Sequence, residues 1–241
     1  MTERVADSSP RLKARTAGLL YLINLIMNGI AIFVLLKLTV PGGAAATAHN
    51  ILASEQLFRY GFAADLVGAL CYIGVTLLLY KLFKAVSETF SLLAAFLSLV
   101  AVAIAGANLV NLMAPLVLLG GAPYLHAIAP GQLQALALTF LRLHGVGYLT
   151  SVVFFSFYMI VIGGLIVRST FMPRIIGVLL IIESVCALIY CFASFLAPPF
   201  AAHLFPAILA PGLIGEGSLT LWLLIVGVNA KKWKEQAAAT S

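Results

Sequence analysis

Side chains that could bind a ligand or exchange a proton lie near the ends of apolar runs in distant parts of the chain. The set consists of Arg59, Asp65, Asn111, Arg142, His144 and Glu216. Guanidinium groups hold carboxylates or phosphates, and carboxyl and imidazole groups act as acids or bases. If the folded chain brings these residues together, they form a polar vestibule for a small molecule or a lipid, with Glu216 paired to Arg142.

Catalysis by the same residues is an alternative interpretation. An intramembrane enzyme acting on lipid would use Asp65, His144 or Glu216 as its acid or base. These three residues also resemble a metal-ligand set, but the chain has no H-E-x-x-H motif and no second histidine one turn away. Ser151 and Ser218 lie near His144 and Glu216 without a G-x-S-x-G motif. The sequence therefore favours a binding protein over an enzyme, and it predicts neither a metal nor a cofactor.

Long apolar runs must position these side chains. The 241 residues are 63% hydrophobic and 9% charged, whereas about a quarter of the residues in a soluble domain are charged. A helix of about 20 apolar residues crosses the hydrocarbon core of a bilayer, which is about 30 Å thick. Runs of this kind cover residues 17–40, 60–80, 90–119, 144–167, 174–197 and 212–230. The sequence therefore predicts an all-α, polytopic bundle of six transmembrane helices.

Lysine and arginine residues predict the orientation of these spans. Eleven of the 14 fall in segments that the spans place on one side of the membrane. They are Arg4, Arg11, Lys13, Arg15, Lys81, Lys84, Arg168, Arg174, Lys231, Lys232 and Lys234. Short loops rich in Lys and Arg stay in the cytoplasm. Both termini are therefore predicted to be cytoplasmic, and Lys37, Arg59 and Arg142 are left for the outer side.

The net charge of +6 invites a nucleic-acid interpretation. The positive charges lie at the ends of the spans, where they fix the orientation of the protein in the membrane and also attract anionic lipids. This role explains the net charge without a nucleic acid. Membrane lipids are therefore the predicted partners, and a lipid or small molecule is the predicted ligand. No nucleic acid is expected, and the sequence gives no oligomeric state.

A single membrane domain is predicted over residues 15–230, with cytoplasmic tails at 1–14 and 231–241. Two outer segments, 48–58 and 130–143, mix apolar and polar residues. This mixture is typical of helices that lie in the interface between lipid and water. Two short interfacial helices are therefore predicted on the outer face.

Polar residues also occur deep inside the predicted spans. They are Asn24, Asn28, Asn108 and Glu183. Asparagine side chains in lipid hydrogen-bond across helices, so the three asparagines are interpreted as contacts that hold the bundle together. Glu183 is predicted to lie near the middle of the membrane, at a different depth from every Lys and Arg. It is interpreted either as a structural hydrogen-bond donor or as a proton or cation site.

Several phrases of the sequence resemble one family of proteins. The phrases are ILASEQLFRYGFAADLVGAL, LLLYKLFKAVSETFSLLAAF, LHGVGY with VVFFSFY, RSTFMPRIIGVLL and GEGSLTLWLLIVGVN. Together they resemble a bacterial multi-pass membrane family, domain of unknown function 4386, over residues 12–234. The resemblance implies a bacterial inner-membrane protein without an assigned activity, and it implies no catalytic residues.

Three functions stay open at this point. A protein that binds a small molecule or a lipid would be a sensor, a small transporter or an accessory subunit. An intramembrane enzyme would act on lipid through the acid and histidine residues. A structural subunit would use the same polar residues only to lock its helices together.

Overall fold

Helices and short turns make up the part of the chain that the computed structural model describes, residues 9–240. The α-helices are α1 Pro10–Leu38, α2 Ala44–Ala53, α3 Glu55–Phe83, α4 Glu88–Leu119, α5 Pro130–Arg168, α6 Arg174–Leu196, α7 Pro198–Leu204, α8 Ala210–Ile225 and α9 Ala230–Thr240. Short 3-10 helices cover Pro123–Leu125 and Ala207–Leu209. Residues 9–240 contain no strand.

Six of these segments are long and apolar enough to cross a membrane. They are α1, α3, α4, α5, α6 and the segment Ala207–Ile225 that contains α8. Large apolar side chains on them are widely exposed, for example Leu196 at 81% and Leu213 at 84%. Such surface is unfavourable in water, whereas lipid chains cover it. The predicted all-α class with six membrane-spanning helices is confirmed.

Three of the spanning helices begin earlier than predicted. The apolar runs start at residues 17, 60 and 144, but α1 begins at Pro10, α3 at Glu55 and α5 at Pro130. Proline is favoured in the first turn of a helix because its missing N–H needs no partner there. The predicted interfacial segment 130–143 is therefore the beginning of α5, whose 39 residues form one helix of about 58 Å. The other predicted interfacial segment lies largely in α2, which Ser54 separates from α3.

Two helices lie in segments predicted to be a loop and a tail. The loop after α6 contains α7, and the C-terminal tail contains α9. The sixth predicted span, 212–230, ends early because Gly227 takes a left-handed conformation (φ 75°) and terminates α8. Glycine adopts this conformation without steric cost, which makes it a common helix terminator.

The contacts between residues divide the chain into two compact units. Unit 1 comprises the described residues up to Leu22, Tyr72–Ala101 and the described residues from Val152 onward. Unit 2 comprises Ile23–Cys71 and Val102–Ser151. Each unit contains a buried ionisable side chain with polar partners, His144 in unit 2 and Glu183 in unit 1.

One end of unit 1 collects several segments rich in Lys and Arg. The Arg15 guanidinium donates to the carbonyl of Ile225 at 3.0 Å. The Trp233 indole of α9 donates to the carbonyl of Leu82 at 2.8 Å, and the Asn229 N–H donates to Phe171 O at 3.3 Å. These contacts join the start of α1, the end of α3, the turn after α5 and the C-terminal helix. The charge pattern predicts that this end is cytoplasmic, and the orientation stays a prediction.

Glycines let helices of unit 1 approach closely. A Cβ at Gly18 of α1 would lie within 3 Å of backbone atoms of Leu223 and Leu224 in α8. A Cβ at Gly163 of α5 would lie 2.7 Å from the carbonyl oxygen of Gly177 in α6. Small residues at such crossings bring backbones together, and close packing is what holds membrane helices to each other.

Leucine and other apolar side chains from five helices form the core of unit 2. The buried members are Val34, Leu38, Ile51, Phe58, Leu109, Leu112, Leu116 and Leu141. Ile51 is fully buried, so α2 is anchored in this core by one face.

Candidate functional site

Asn108 of α4 is the centre of the polar group in unit 2. Its Nδ2 donates to the backbone carbonyl of His144 at 2.8 Å and lies 3.1 Å from His144 Nδ1. Asn111, one turn along α4, donates from Nδ2 to Asn108 Oδ1 at 3.0 Å. Asn108 and His144 are both buried. A buried polar side chain is stable only when it is hydrogen-bonded, and these contacts satisfy both residues.

Asp65 of α3 completes the amide–imidazole cluster, by which we mean Asp65, Asn108, Asn111 and His144. Asp65 is half-buried and interacts electrostatically with His144. If His144 Nδ1 accepts from Asn108, its proton is on Nε2, which is then the nitrogen available to a carboxylate or a ligand. The cluster therefore offers an imidazole, a carboxyl group and an amide as hydrogen-bonding groups.

Gly147 of α5 makes room for this arrangement. A Cβ at position 147 would overlap Asn108 Oδ1 and Cγ and would lie 2.8 Å from Nδ2. The Asn108 side chain thus lies directly against the backbone of α5, one turn beyond His144. A glycine at this position is what allows α4 and α5 to exchange the hydrogen bonds of the cluster.

Gly147→Ala is expected to lower the free energy of unfolding by about 1–3 kcal/mol, because the new methyl group displaces Asn108 from its partners. Thermal unfolding in mild detergent measures the change. Gly145→Ala is the matched control on the same helix, because a Cβ there meets nothing within 4 Å. Equal melting temperatures of the two variants would contradict the role assigned to Gly147.

An apolar groove lies on the same helices as the amide–imidazole cluster. Its volume is about 580 Å³, and it is lined by Phe62, Leu66, Gly106, Leu109, Val110, Met113, Ala114, Val117, Leu118 and Phe140. Asp65 lies in sequence between Phe62 and Leu66, and Asn111 lies between Val110 and Met113. Pockets of 300–1,000 Å³ that combine apolar walls with a few polar groups are typical of sites for small molecules.

Two glutamates form the polar group of unit 1, and we call them the carboxyl pair. Glu183 of α6 is buried, and its Oε2 accepts the backbone N–H of Glu216 in α8 at 3.0 Å. Glu216 is half-buried, and its Oε2 accepts the hydroxyl of Tyr21 in α1 at 2.8 Å. Glu183 Oε2 occupies the space that a Cβ at Gly215 would need. Gly215 therefore permits the close approach of α6 and α8, whereas a Cβ at Gly217 would meet nothing within 4 Å.

Three tyrosine rings adjoin the carboxyl pair. Tyr21 meets Tyr72 edge to face with ring centres 5.2 Å apart, and Tyr72 meets Tyr158 in the same way at 6.1 Å. All three interact electrostatically with Glu216. The hydroxyl oxygens of Tyr72, Tyr158 and Thr220 are buried and have no hydrogen-bond partner within 3.5 Å among the described residues. The Tyr72 hydroxyl is close enough to those of Tyr21 and Tyr158 for longer and weaker hydrogen bonds.

The six residues predicted for one vestibule lie in both units. Asp65, Asn111 and His144 belong to the amide–imidazole cluster of unit 2. Arg59 forms an ion pair with Glu55 of its own helix at 2.7 Å, with both side chains about half exposed. Arg142 is exposed and also belongs to unit 2. Glu216 belongs to unit 1, so its pairing with Arg142 stays a prediction.

The other deep polar residues are placed as follows. Asn24 is buried and donates from Nδ2 to the carbonyl of Gly68 in α3 at 2.9 Å. Asn28 is half-buried, and its Oδ1 would lie 3.4 Å from a Cβ at Gly68. Both contacts link α1 to α3 within unit 2. Among residues 9–240, no group of three or more His, Cys, Asp or Glu side chains is arranged to hold a metal ion.

Sequence reasoning missed two of the partners. Asn108 was interpreted only as interhelical contact, although it holds His144, and Tyr21 was not connected to Glu216. Gly147 and Gly215 are the residues that could have indicated these contacts. Gly147 lies one turn from His144 and leaves space for Asn108, and Gly215 precedes Glu216 and leaves space for Glu183. Gly145 beside His144 and Gly217 beside Glu216 face open space, so a glycine next to an ionisable residue does not by itself identify a polar contact across helices.

Comparison with known proteins matches the sequence to one family. The family model described as "Domain of unknown function (DUF4386)" matches residues 16–227. No curated protein and no solved structure matches the chain significantly.

Proposed function

Because the chain belongs to the DUF4386 family, whose description gives no activity, we propose a function from its own side chains. The protein binds a lipid or lipid-like molecule in unit 2, with the apolar part in the groove and a polar group at the amide–imidazole cluster. The observation that carries the proposal is the sequence adjacency of Asp65 and Asn111 to residues that line the groove.

The length of the groove suits one lipid chain. Its lining residues on α4 extend from Gly106 to Leu118, about 18 Å along the helix. One leaflet contributes about 15 Å, half of the hydrocarbon core. A chain that fills the groove removes Val110, 71% exposed, and Val117, 54% exposed, from contact with disordered lipid.

Open acceptors near the groove supply the polar contact. Asn111 Oδ1 makes no hydrogen bond within the described residues, and Pro115 has no N–H to donate to the carbonyl of Asn111. Asn111 and Asp65 are not among the residues that line the groove, so a hydroxyl, amide or amine of the ligand would reach past the apolar lining to the two oxygen acceptors of Asn111. The half-buried carboxyl group of Asp65 provides a third.

The Lys and Arg pattern supports placement in the bacterial inner membrane with both termini in the cytoplasm. In this orientation Asp65 is the eleventh residue of α3 and His144 the fifteenth of α5, counted from the outer ends of those helices. The polar part of the ligand would thus lie about 15–20 Å from the outer ends of α3 and α5, measured along the helix axes. A sensor, a small transporter and an accessory subunit are all compatible with such a site.

Gly106→Leu is expected to expel the ligand. Position 106 lines the groove, and a Cβ there meets nothing within 4 Å, so the leucine fills the groove without disturbing the fold. After extraction in mild detergent, native mass spectrometry of the wild-type protein should show a retained lipid mass, and the variant should lose at least about nine-tenths of it. This loss corresponds to about 1.4 kcal/mol of binding free energy.

Ala107→Leu is the matched control, because the neighbouring residue is exposed and does not line the groove. It adds a similar volume on the same helix and should retain the lipid. If the wild type, Gly106→Leu and Ala107→Leu carry the same lipid in the same amount, the groove is not the binding site. A wild-type protein without any lipid would favour the structural-subunit interpretation.

A further inference from the structure

Unit 1 contains a group of acidic and hydroxyl side chains that lipid binding in unit 2 does not use. The carboxyl pair Glu183 and Glu216 lies inside two spanning segments, with Glu183 the tenth of the 23 residues of α6. The contacts of the two carboxyl groups involve Tyr21 of α1, Tyr72 of α3 and Tyr158 of α5. No Lys, Arg or His of the described residues takes part in these contacts.

Two ionised carboxyl groups at this place would have no counter-charge among the contacts described. Two carboxylates inside a membrane, without a basic partner, repel each other and lose their hydration. Glu183 has one favourable contact, the N–H of Glu216, and Glu216 has one, the hydroxyl of Tyr21. These two hydrogen bonds satisfy one oxygen of each carboxyl group. The second oxygen of each makes no hydrogen bond within the described residues.

The buried hydroxyls are an independent indication of a bound species. Tyr72 and Tyr158 are 3% and 1% exposed, and Thr220 is 1% exposed. Their oxygens have no hydrogen-bond partner within 3.5 Å among the described residues. The Tyr72 hydroxyl is nevertheless close to those of Tyr21 and Tyr158, and both Tyr72 and Tyr158 interact electrostatically with Glu216. Thr220 lies one turn beyond Glu216 on α8. Unpartnered hydroxyls around two carboxyl groups are what a mobile proton requires, because each hydroxyl both donates and accepts.

We propose that Glu183 and Glu216 form a proton-binding site, with the hydroxyls of Tyr21, Tyr72, Tyr158 and Thr220 as its hydrogen-bonding shell. On binding, one carboxylate oxygen takes up one proton to form a neutral carboxyl group, and release returns the carboxylate. No electron is transferred and no covalent bond other than O–H changes. The inference is independent of lipid binding in unit 2, since the two sites share no residue.

Infrared difference spectroscopy of the full-length protein in lipid vesicles tests the proposal. A neutral carboxyl group has a C=O stretching band that a carboxylate lacks, and this band shifts in D2O. Wild-type protein taken from low to high pH should lose a band that is absent from Glu216→Gln or from Glu183→Gln. Both substitutions are nearly isosteric, and Glu55→Gln, an exposed carboxyl group paired with Arg59, should leave the band unchanged.

Tyr21→Phe keeps the test valid if a glutamine variant fails to fold. It removes only the hydroxyl that donates to Glu216 Oε2, so the band of Glu216 should move to higher frequency. A band that persists in both glutamine variants would overturn the assignment, and so would a band that Glu216→Gln abolishes but that stays in place in Tyr21→Phe. Loss of the band when sodium replaces choline at constant pH would overturn it in favour of a metal-cation site.

Discussion

Gly18→Ala is expected to lower the free energy of unfolding by about 3 kcal/mol or more, because the new methyl group meets the backbone of another helix. A Cβ at position 18 would overlap the backbone nitrogen of Leu224 and lie 2.8 Å from its Cα and 2.9 Å from the carbonyl carbon of Leu223. Backbone atoms of a helix cannot turn aside as a side chain can, so α1 and α8 must separate. The melting temperature in detergent should fall by about 6–12 °C.

Gly29→Ala on the same helix is the control, because a Cβ there meets nothing within 4 Å. Alanine has a higher helix propensity than glycine by about 1 kcal/mol, so this variant should be as stable as the wild type or slightly more stable. An unchanged melting temperature of Gly18→Ala would show that α1 and α8 do not pack as closely as described.

Gly177→Ala is expected to lower the free energy of unfolding by about 2–3 kcal/mol, because it separates α5 and α6. A Cβ at position 177 would overlap the carbonyl oxygen of Gly163 and would lie 2.9 Å from the Val167 side chain and 3.1 Å from Ile166. Gly163→Ala should act in the same way, since its Cβ would lie 2.7 Å from the carbonyl oxygen of Gly177. Thermal unfolding monitored by size-exclusion chromatography measures both variants.

Gly164→Ala provides an unusually close comparison, because it differs from Gly163→Ala by one position in the same helix. A Cβ at Gly164 meets nothing within 4 Å, so the variant should melt at or above the wild-type temperature. If Gly163→Ala and Gly164→Ala are equally stable, the crossing of α5 and α6 does not depend on glycine.

The fold class could be predicted because apolar runs long enough to span a membrane are visible in the sequence itself. Each run of about 20 residues requires internal hydrogen bonding in lipid, and a helix provides this without a partner. The ends of the helices were less predictable. Pro10, Glu55 and Pro130 start their helices before the apolar residues begin, because proline and acidic residues suit the first turn of a helix whatever their hydrophobicity.

The polar contacts could be predicted only in part. The free-energy cost of placing a polar side chain in lipid identifies the residues that need hydrogen-bond partners, whatever the packing of the helices. These residues are Asn24, Asn108, Glu183 and Glu216. Which partner each one finds depends on the rotation of helices that are far apart in sequence. Tyr21 is uninformative by itself, since tyrosine is common in spans and at their ends. Its hydroxyl can be identified as the partner of Glu216 only when the packing of α1 against α8 is known.

The separation of Tyr21 and Glu216 by 195 residues has a consequence for biogenesis. A ribosome adds about 5–20 residues per second, so about 10–40 s pass between synthesis of the donor and synthesis of its acceptor. During that time the first helix is already in the bilayer and its tyrosine has no carboxylate to bind. The hydrogen bond between α1 and α8 can therefore form only after the last spanning segment has been synthesised.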